Sequence, residues 1–359
     1  MKKEKEISGT DLFQSIRSLI ENSRKSIVRN INSAMLMTYF EIGRMIVEDQ
    51  QQGKERAEYA KETLQNLSRD LTKEFGKGYS IDNLERFRKF YITYQDRFSA
   101  SLMRKSTDEQ PAPKSASAMR LSEPGEQNSF PFTLSWTHYI QLLKINNEDE
   151  RNFYEIEASQ NNWSMRELTR QFNSALYERI SSSKNKNEVK QLAAKGQIIE
   201  KPTDVLKSHY VLEFLDLKED SRYSENDLEK AIIDKLEHFM LELGKGFLFE
   251  GRQRRFTFEG DSFFVDLVFY NRLLRCFVLF DLKIGKLTHQ DIGQMQMYVN
   301  YYDRKIKLPE ERPTIGIILC KEENRTVVEF TLPEKNEQIF AKEYKSVLPS
   351  KAELKKQIE

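Results

Sequence analysis

The chain has 359 residues, of which 38% are hydrophobic and 31% are charged, with a formal net charge of +1. This length predicts two domains, or one domain with an extension, and the apolar content is sufficient for buried cores. No run of 18 or more apolar residues occurs, which excludes a membrane-spanning helix, and the basic N-terminus lacks the apolar segment of a secretory signal. The near-zero net charge argues against a protein that coats nucleic acid by electrostatic attraction alone. It is compatible with a site-specific DNA enzyme.

The two cysteines, Cys276 and Cys320, both lie in apolar runs. Two cysteines in a chain of this length are typical of buried core thiols and not of a disulfide framework. We therefore expect a reducing compartment and a cytoplasmic protein.

Residues 10–180 are predicted to form a helical region. Thr10 is the expected N-cap of a first helix. Apolar residues recur in it at helical spacing: Leu12, Phe13, Ile16, Leu19 and Ile20. A second helical pattern runs from Ile31 to Ile46 and is expected to stop at Gly53.

Two further helices, joined by a short turn containing glycine, have the outline of a helix-turn-helix, and Ser80 is the expected cap of the second. Arg86 and Arg88 lie near or on the exposed face of that second helix, which favours contact with DNA. The alternative is that these charges only solvate a helical bundle. The next segment, 99–131, is rich in Ser, Pro and Ala and is predicted to be a flexible insert.

Helical patterns return before residue 180, where Ser164 is expected to cap a helix that carries Arg166 on its surface. We place the domain boundary in a polar connector, residues 181–207. From residue 208 the spacing of the hydrophobic residues changes, and strand-like patterns appear beside helical ones. Ser224 is expected to cap one amphipathic helix that ends at Gly244.

The rest of the second domain alternates strands with one helix. The predicted strands are 246–260, 261–270, 273–284 and 313–320, with a helix at 289–305 between the last two. The run 273–284 is almost wholly apolar, which predicts a central strand buried on both faces. The order of elements predicts an α/β sandwich around a mixed sheet.

The tripeptide Asp-Leu-Lys occurs at 216–218 and again at 281–283. In a strand, residues i and i+2 point to the same face, so Asp281 and Lys283 are expected to project together. Asp266 interrupts the preceding apolar strand, where a lone carboxylate is costly unless it is paired or binds a metal. A tight reversal at 271–272 would bring Asp266 beside Asp281. The first copy has no such partner and is predicted to be a solvated strand end or turn.

Two more polar residues are candidates for the same site. Glu229 lies near the edge of the apolar stripe of the first helix and could face a metal, although a surface salt bridge with Lys230 or Lys235 is an alternative. Gln294 lies on a stripe beside the core face of the following helix, at a suitable distance from a phosphate. Its alternative is an ordinary surface glutamine.

These residues resemble the signature of the PD-(D/E)xK nuclease superfamily: Glu229, Asp266, Asp281-Leu282-Lys283 and Gln294. Longer stretches resemble the nuclease domain of the YhcG family at residues 228–260, 263–287 and 293–303. Other stretches are similar to the helical N-terminal region of that family: FGKGYSIDNLERFRKFY, LSWTHYIQLLKI and NNWSMRELTRQ.

The resemblance implies a restriction-endonuclease-like domain at 208–345 and a DNA endonuclease dependent on Mg²⁺ or Mn²⁺. It implies that Asp266 and Asp281 ligate the metal with the Leu282 carbonyl, and that Lys283 positions or activates water. Glu229 and Gln294 would support the site. One departure is that the family more often has Glu at the position of Asp281, so the metal distance or preference could differ.

The stretch Gly-Arg-Gln at 251–253 also resembles a recurring element of the YhcG family. Arg252, Gln253 and Arg254 are candidates for DNA contacts, because a basic strand can clamp phosphates. The alternative is a basic edge strand that discourages aggregation. In a regular strand, Arg252 and Arg254 would share a face.

Other functions stay open at this stage. One is a non-catalytic DNA-binding or adaptor protein on a nuclease-like fold, with a protein partner in a restriction, defence or toxin–antitoxin complex. Another is an RNA nuclease. Nuclease domains of this type often form homodimers, although neither a heptad pattern nor an exposed apolar stripe in the sequence argues for one here. No membrane partner is expected.

Overall fold

The computed structural model describes residues 9–52, 57–106, 132–182, 184–217, 223–258 and 260–348. Within these ranges no helix combines the length and the hydropathy needed to cross a membrane. The chain divides into two compact units, Met1–Asn146 and Asn147–Glu359. The predictions made for Gly53, for Lys218 and for residues 107–131 of the insert fall outside the described residues.

The first unit is helical. Its helices are α1 Gly9–Gln52, α2 Ala57–Phe75, α3 Ile81–Ser106 and α4 Trp136–Leu142, with one 3-10 turn at Lys77–Tyr79. The two helical patterns predicted before residue 53 belong to one continuous helix of 44 residues, because no Gly or Pro interrupts the chain between them. Residues 99–106, expected to belong to the insert, continue α3 for the same reason.

The core of this unit lies between the second half of α1 and α3. Tyr39 of α1 stacks on Phe87 of α3 with ring centroids 4.3 Å apart. The two helices touch at Gly43, where an added Cβ would lie 2.1 Å from the Phe87 carbonyl oxygen. A glycine is therefore required at this crossing, since any side chain would push the helices apart.

The second unit contains eight helices and six strands within its described residues. They are α5 Glu148–Gln160, α6 Met165–Asn173, α7 Leu176–Ser181, α8 Lys186–Lys195, β1 His209–Val211, α9 Glu225–Asp234, α10 Leu236–Leu243, β2 Phe247–Phe258, β3 Asp261–Asn271, β4 Cys276–Lys286, α11 His289–Tyr301, β5 Ile315–Glu322, α12 Arg325–Thr331 and β6 Ile339–Lys345. Ser164 and Ser224 cap α6 and α9 through reciprocal capping boxes, as predicted. The single helix expected to end at Gly244 is broken at Lys235 into α9 and α10.

The sheet is mixed, as predicted, with the order β1-β6-β5-β4-β3-β2. The β2–β3 and β3–β4 pairs are antiparallel, and the remaining pairs are parallel. β4 is central and buried on both faces: Phe280 packs in the cluster that contains α9 and α10, and Leu279 packs in the cluster that contains α11. Cys276 and Cys320 are free and buried.

A buried ionic cluster joins the helices α6 and α7 to the sheet. Its centre is Glu242 of α10, which is fully buried. Arg179 forms an ion pair with it, Arg170 Nη1 lies 3.1 Å from its Oε2, and the Val211 amide donates to its Oε1 at 3.0 Å. Burial opposes the charge of Glu242, but Arg179, Lys207 and Arg170 outweigh that effect and hold its pKa well below the usual range.

This cluster explains where the compact units divide. The sequence placed the boundary in the connector 181–207, whereas the second unit begins at Asn147 and includes α5 to α8. Arg170 and Arg179 sit on helices that were predicted to belong to the N-terminal region. Because a buried cation cannot be separated from its carboxylate cheaply, these helices pack with the sheet.

We expect Glu242→Gln to lower the free energy of unfolding by about 3–5 kcal/mol, since it leaves the buried Arg179 and Lys207 without their carboxylate. Urea denaturation followed by circular dichroism measures this. Glu237→Gln, on the exposed face of the same helix, is the matched control and is expected to change little. Equal effects of the two substitutions would show that the cluster does not hold the unit together.

Candidate active site

Asp266 and Asp281 meet where two strands separate. The β3–β4 ladder pairs Leu267 with Phe280 and ends there, so the next pair in the same register is Asp266 with Asp281. Instead of a ladder carbonyl, the Asp266 Oδ2 atom accepts a hydrogen bond from the Leu282 amide at 2.8 Å. The structure therefore brings the two aspartates together, each on its own strand.

Asp281 is the most buried carboxylate of the site, with 2% of its surface exposed. Its Oδ2 atom lies 3.0 Å from Lys283 Nζ, but the two groups are not aligned as a hydrogen bond, and this oxygen accepts none. Burial raises the pKa of Asp281 to about 7, with Lys283 opposing the shift and Asp266 adding to it. Asp281 thus carries a buried ligand atom with unused capacity.

Lys283 is a cation in this setting. Its Nζ also lies 3.7 Å from Glu225 Oε2 at the start of α9 and 4.0 Å from Asp291 Oδ1 at the start of α11. Burial opposes its charge, but Asp281 and its other acidic neighbours hold the pKa of Lys283 above its usual range. A lysine with a raised pKa is a donor of hydrogen bonds and positive charge, and it is not a general base.

Glu229 faces the aspartates. It is buried on α9, and its Oε2 atom accepts a hydrogen bond from Gln253 Nε2 at 2.6 Å. The same nitrogen donates to Asp266 Oδ1 at 3.0 Å. Burial raises the pKa of Glu229, Gln253 opposes this shift, and Asp266 adds to it. One amide thus links two carboxylates that belong to different elements.

Gln253 reaches them through an irregular stretch of β2. Its φ of 47° is in the left-handed region, which costs a residue with a side chain on the order of 1–2 kcal/mol. The β2–β3 register also shifts between Phe249 and Gly251. This part of β2 is therefore not a regular strand, so the condition under which Arg252 and Arg254 would share a face is not met. Gln253, expected among the DNA contacts, points to the carboxylates instead.

The two arginines beside Gln253 behave differently. Arg252 is exposed, and its charge acts on Glu229 to lower that carboxyl's pKa. Arg254 is bound to Glu250, with Nε 3.1 Å from Oε2. Arg252 is therefore the more available of the two for a phosphate.

Gln294 is linked to the carboxylate site through Tyr298. Its Nε2 donates to the hydroxyl of Tyr298, one turn further along α11. Burial raises the pKa of Tyr298 to about 12, Gln294 opposes the shift, and the charges of Asp281 and Asp266 add to it. Glu225 and Asp291 were not identified from the sequence, because the packing of α9 and α11 on the sheet determines where they point.

The remaining predicted DNA contacts lie on helices. Arg86 is exposed on α3 and donates to Asn83 at 2.9 Å. Arg88 is half-buried and donates to Gln50 of α1 at 3.2 Å, so it also contributes to packing. Arg166 is exposed on α6. The first Asp-Leu-Lys copy begins in a loop, as predicted, since Asp216 is exposed and left-handed at φ 56° after a 3-10 turn.

The donor set fits a hard divalent cation. In the described part of the chain, no three His, Cys, Asp or Glu side chains are grouped to hold an ion by themselves. Asp266 and Asp281 nevertheless supply two adjacent carboxylates, and one Asp281 oxygen accepts no hydrogen bond. Mg²⁺ is commonly held by one or two protein carboxylates and keeps several waters, so this pair suits Mg²⁺ or Mn²⁺.

Comparison with known proteins agrees with the sequence motifs. Residues 203–359 match the family described as the YhcG PDDEXK nuclease domain, and residues 15–179 match the DUF1016 N-terminal domain. The chain is 38% identical over 348 residues to the Escherichia coli (strain K12) protein named "Putative nuclease YhcG", which covers 96% of this chain and 92% of that protein. The chain belongs to the YhcG family. The predicted resemblance is thereby confirmed.

Solved structures offer more distant likenesses. A repair endonuclease from Pyrococcus abyssi is 19% identical, with a TM-score of 0.24 over 35% of this chain and 49% of that one. A complex of EndoMS with double-stranded DNA is 15% identical, with a TM-score of 0.25 over 38% of this chain and 51% of that one. The likeness spans about half of each of those chains, and at these scores it carries no argument about the YhcG-family chain.

Asp281→Asn is expected to stabilise the metal-free protein by on the order of 1–2 kcal/mol at about pH 8. Between the unfolded pKa near 3.9 and the folded pKa of about 7, only the unfolded state is ionised, so stability falls as pH rises through this window. The gain should therefore shrink at about pH 5. Thermal unfolding at both pH values measures it, with exposed Asp261→Asn as control. A gain independent of pH would contradict the burial of a charge.

Gln253→Gly should weaken Mn²⁺ binding by about tenfold or more, because it removes the amide that holds two carboxylates while keeping the left-handed backbone accessible. Isothermal titration calorimetry with Mn²⁺ gives the metal Kd, and fluorescence anisotropy gives the DNA Kd. Arg252→Ala is the matched control and should weaken DNA binding alone. The reverse pattern would make Gln253 the DNA contact that the sequence suggested.

Proposed function

We propose that this YhcG-family protein hydrolyses DNA phosphodiester bonds with the help of Mg²⁺ or Mn²⁺. The supporting observation is the pair Asp266 and Asp281, held opposite each other in apolar strands, with one Asp281 oxygen making no hydrogen bond. Two adjacent carboxylates, one buried and one half-buried, repel each other and are costly to desolvate. A protein that only binds DNA has no physical reason to keep them.

Each residue has a role that follows from its surroundings. Asp266 and Asp281, with the Leu282 carbonyl, would hold the cation, which when bound neutralises phosphate charge and lowers the pKa of nearby water. Lys283 stays protonated and donates a hydrogen bond to the phosphate or the attacking water, stabilising developing negative charge. Burial raises the pKa of Glu229, so it holds a proton more readily than an ordinary glutamate.

The supporting residues orient this first set. Gln253 fixes Glu229 relative to Asp266 through its bifurcated amide. Gln294 and Tyr298 extend the polar surface along α11. Arg252 offers an exposed guanidinium that can bind a backbone phosphate of the substrate.

The helical unit would supply further contacts to DNA or to a protein partner. Arg86 is an exposed cation on the helix that follows the short turn. Cys276 and Cys320 are free, buried thiols, which agrees with a protein that acts on DNA in the reducing cytoplasm.

Wild-type protein is expected to cut DNA only with Mg²⁺ or Mn²⁺ present, and Asp266→Ala and Lys283→Ala should each lower the rate by about 100-fold or more. Purified protein is incubated with linear duplex, single-stranded, nicked and four-way-junction DNA and with RNA, and products are resolved on denaturing gels. The chain supplies its own control: Asp216→Ala alters the other Asp-Leu-Lys copy and should cut as wild type does.

The outcomes separate the rival functions. DNA that is bound but not cut, with equal binding by wild type and the Asp266→Ala variant, would favour a DNA-binding or adaptor protein. Cleavage confined to RNA would make the protein a ribonuclease. Loss of cleavage in Asp216→Ala but not in Asp266→Ala would place the site elsewhere.

A further inference from the structure

The first half of α1 carries a row of large apolar side chains in water. Eight of them are between 44% and 66% exposed: Leu12, Phe13, Ile16, Leu19, Ile20, Ile27, Ile31 and Met35. They recur at intervals of three, four and seven residues, so they share one side of the helix, which we call the α1 stripe. Arg17 and Glu21 form an exposed ion pair at 2.9 Å along one edge of the stripe.

The stripe is separate from the packing of the helical unit. The residues of α1 that are buried against α3 come later: Leu36, Phe40 and Ile46. A helical segment without tertiary packing is only marginally stable in water. A contiguous apolar surface of this length, about 36 Å at 1.5 Å per residue, marks an interaction site in a soluble protein. The α1 stripe is therefore expected to be covered.

Two properties of the stripe suit a second copy of this chain. The first is symmetry about a point between Ser23 and Arg24. Leu12 and Met35 lie equally far on either side of that point, as do Ile16 and Ile31, and Ile20 and Ile27. Two antiparallel copies related by a two-fold axis at this point would therefore place apolar side chains opposite apolar side chains along the whole stripe.

The second property is area. Eight side chains, each about half exposed and offering roughly 100 Å², give about 800 Å² per copy, which is the size of a standard specific interface. Small Ser23 at the axis lets the helices approach closely. The antiparallel arrangement also sets Glu21 near the level of the partner's Arg24, whereas a parallel pair would align like charges at every level.

We propose that the protein forms a homodimer in which the α1 stripes of two copies pack antiparallel. The interaction does not depend on the proposed nuclease chemistry. It covers the exposed apolar stripe, which the sequence did not indicate.

Sedimentation velocity on the full chain at about 10 µM tests the proposal. The expected mass is twice 42.5 kDa. Ile20→Glu should weaken dimerisation by about 100-fold or more, because each dimer would bury two unpaired charges. Ser18→Glu adds the same charge on the opposite side of the helix and should dimerise as wild type does. Circular dichroism checks that both variants remain helical.

Disulfide cross-linking decides the orientation. Ile20→Cys and Ile27→Cys chains should cross-link when mixed and not when alone, because the antiparallel pairing sets residue 20 against residue 27 of the partner. The native cysteines are buried and should not form cross-links. A monomeric wild type, a dimer unaffected by Ile20→Glu, or cross-linking of each variant with itself would overturn the proposal. So would a monomer that binds phosphatidylglycerol vesicles through the stripe.

Discussion

The antiparallel register of β3 and β4 is the constraint on which the candidate site depends. Pairing Leu267 with Phe280 sets Asp266 opposite Asp281, and no other arrangement of these two strands would do so. The ladder stops at this point, and Asp266 Oδ2 accepts the hydrogen bond from the Leu282 amide. The site therefore lies where the two strands separate.

The groups around Asp266 and Asp281 offset the negative charge of the pair without neutralising it. Lys283 lies beside Asp281, and the Gln253 amide joins Asp266 to Glu229. Gln253 can reach both only from a left-handed backbone, so β2 departs from regular geometry opposite the site. Strain of this kind and buried like charges lower stability, which is the usual consequence of assembling a functional site.

Glu242 has a comparable role for the architecture of the second unit. Its single carboxylate binds cations from α6 and α7 and the amide of β1, so helices that precede the sheet in the chain pack with it. The family match ends at residue 179 for the N-terminal domain, whereas the compact unit begins at Asn147. A family boundary marks inherited sequence, and a compact unit marks packing, so the two need not coincide.

The sequence by itself determined the α/β class, the central strand β4, the caps of α6 and α9, and the distinction between the two Asp-Leu-Lys copies. These follow from local rules: hydrophobic period, capping residues, and the cost of a carboxylate in an apolar run. The motif stretches also identified the YhcG family. Only the tertiary structure decided that Gln253 faces the carboxylates, that the apolar side chains in the first half of α1 stay exposed, and that α5 to α8 join the sheet. Each of these depends on register, a left-handed residue or contacts distant in the chain, and a local pattern carries no information about them.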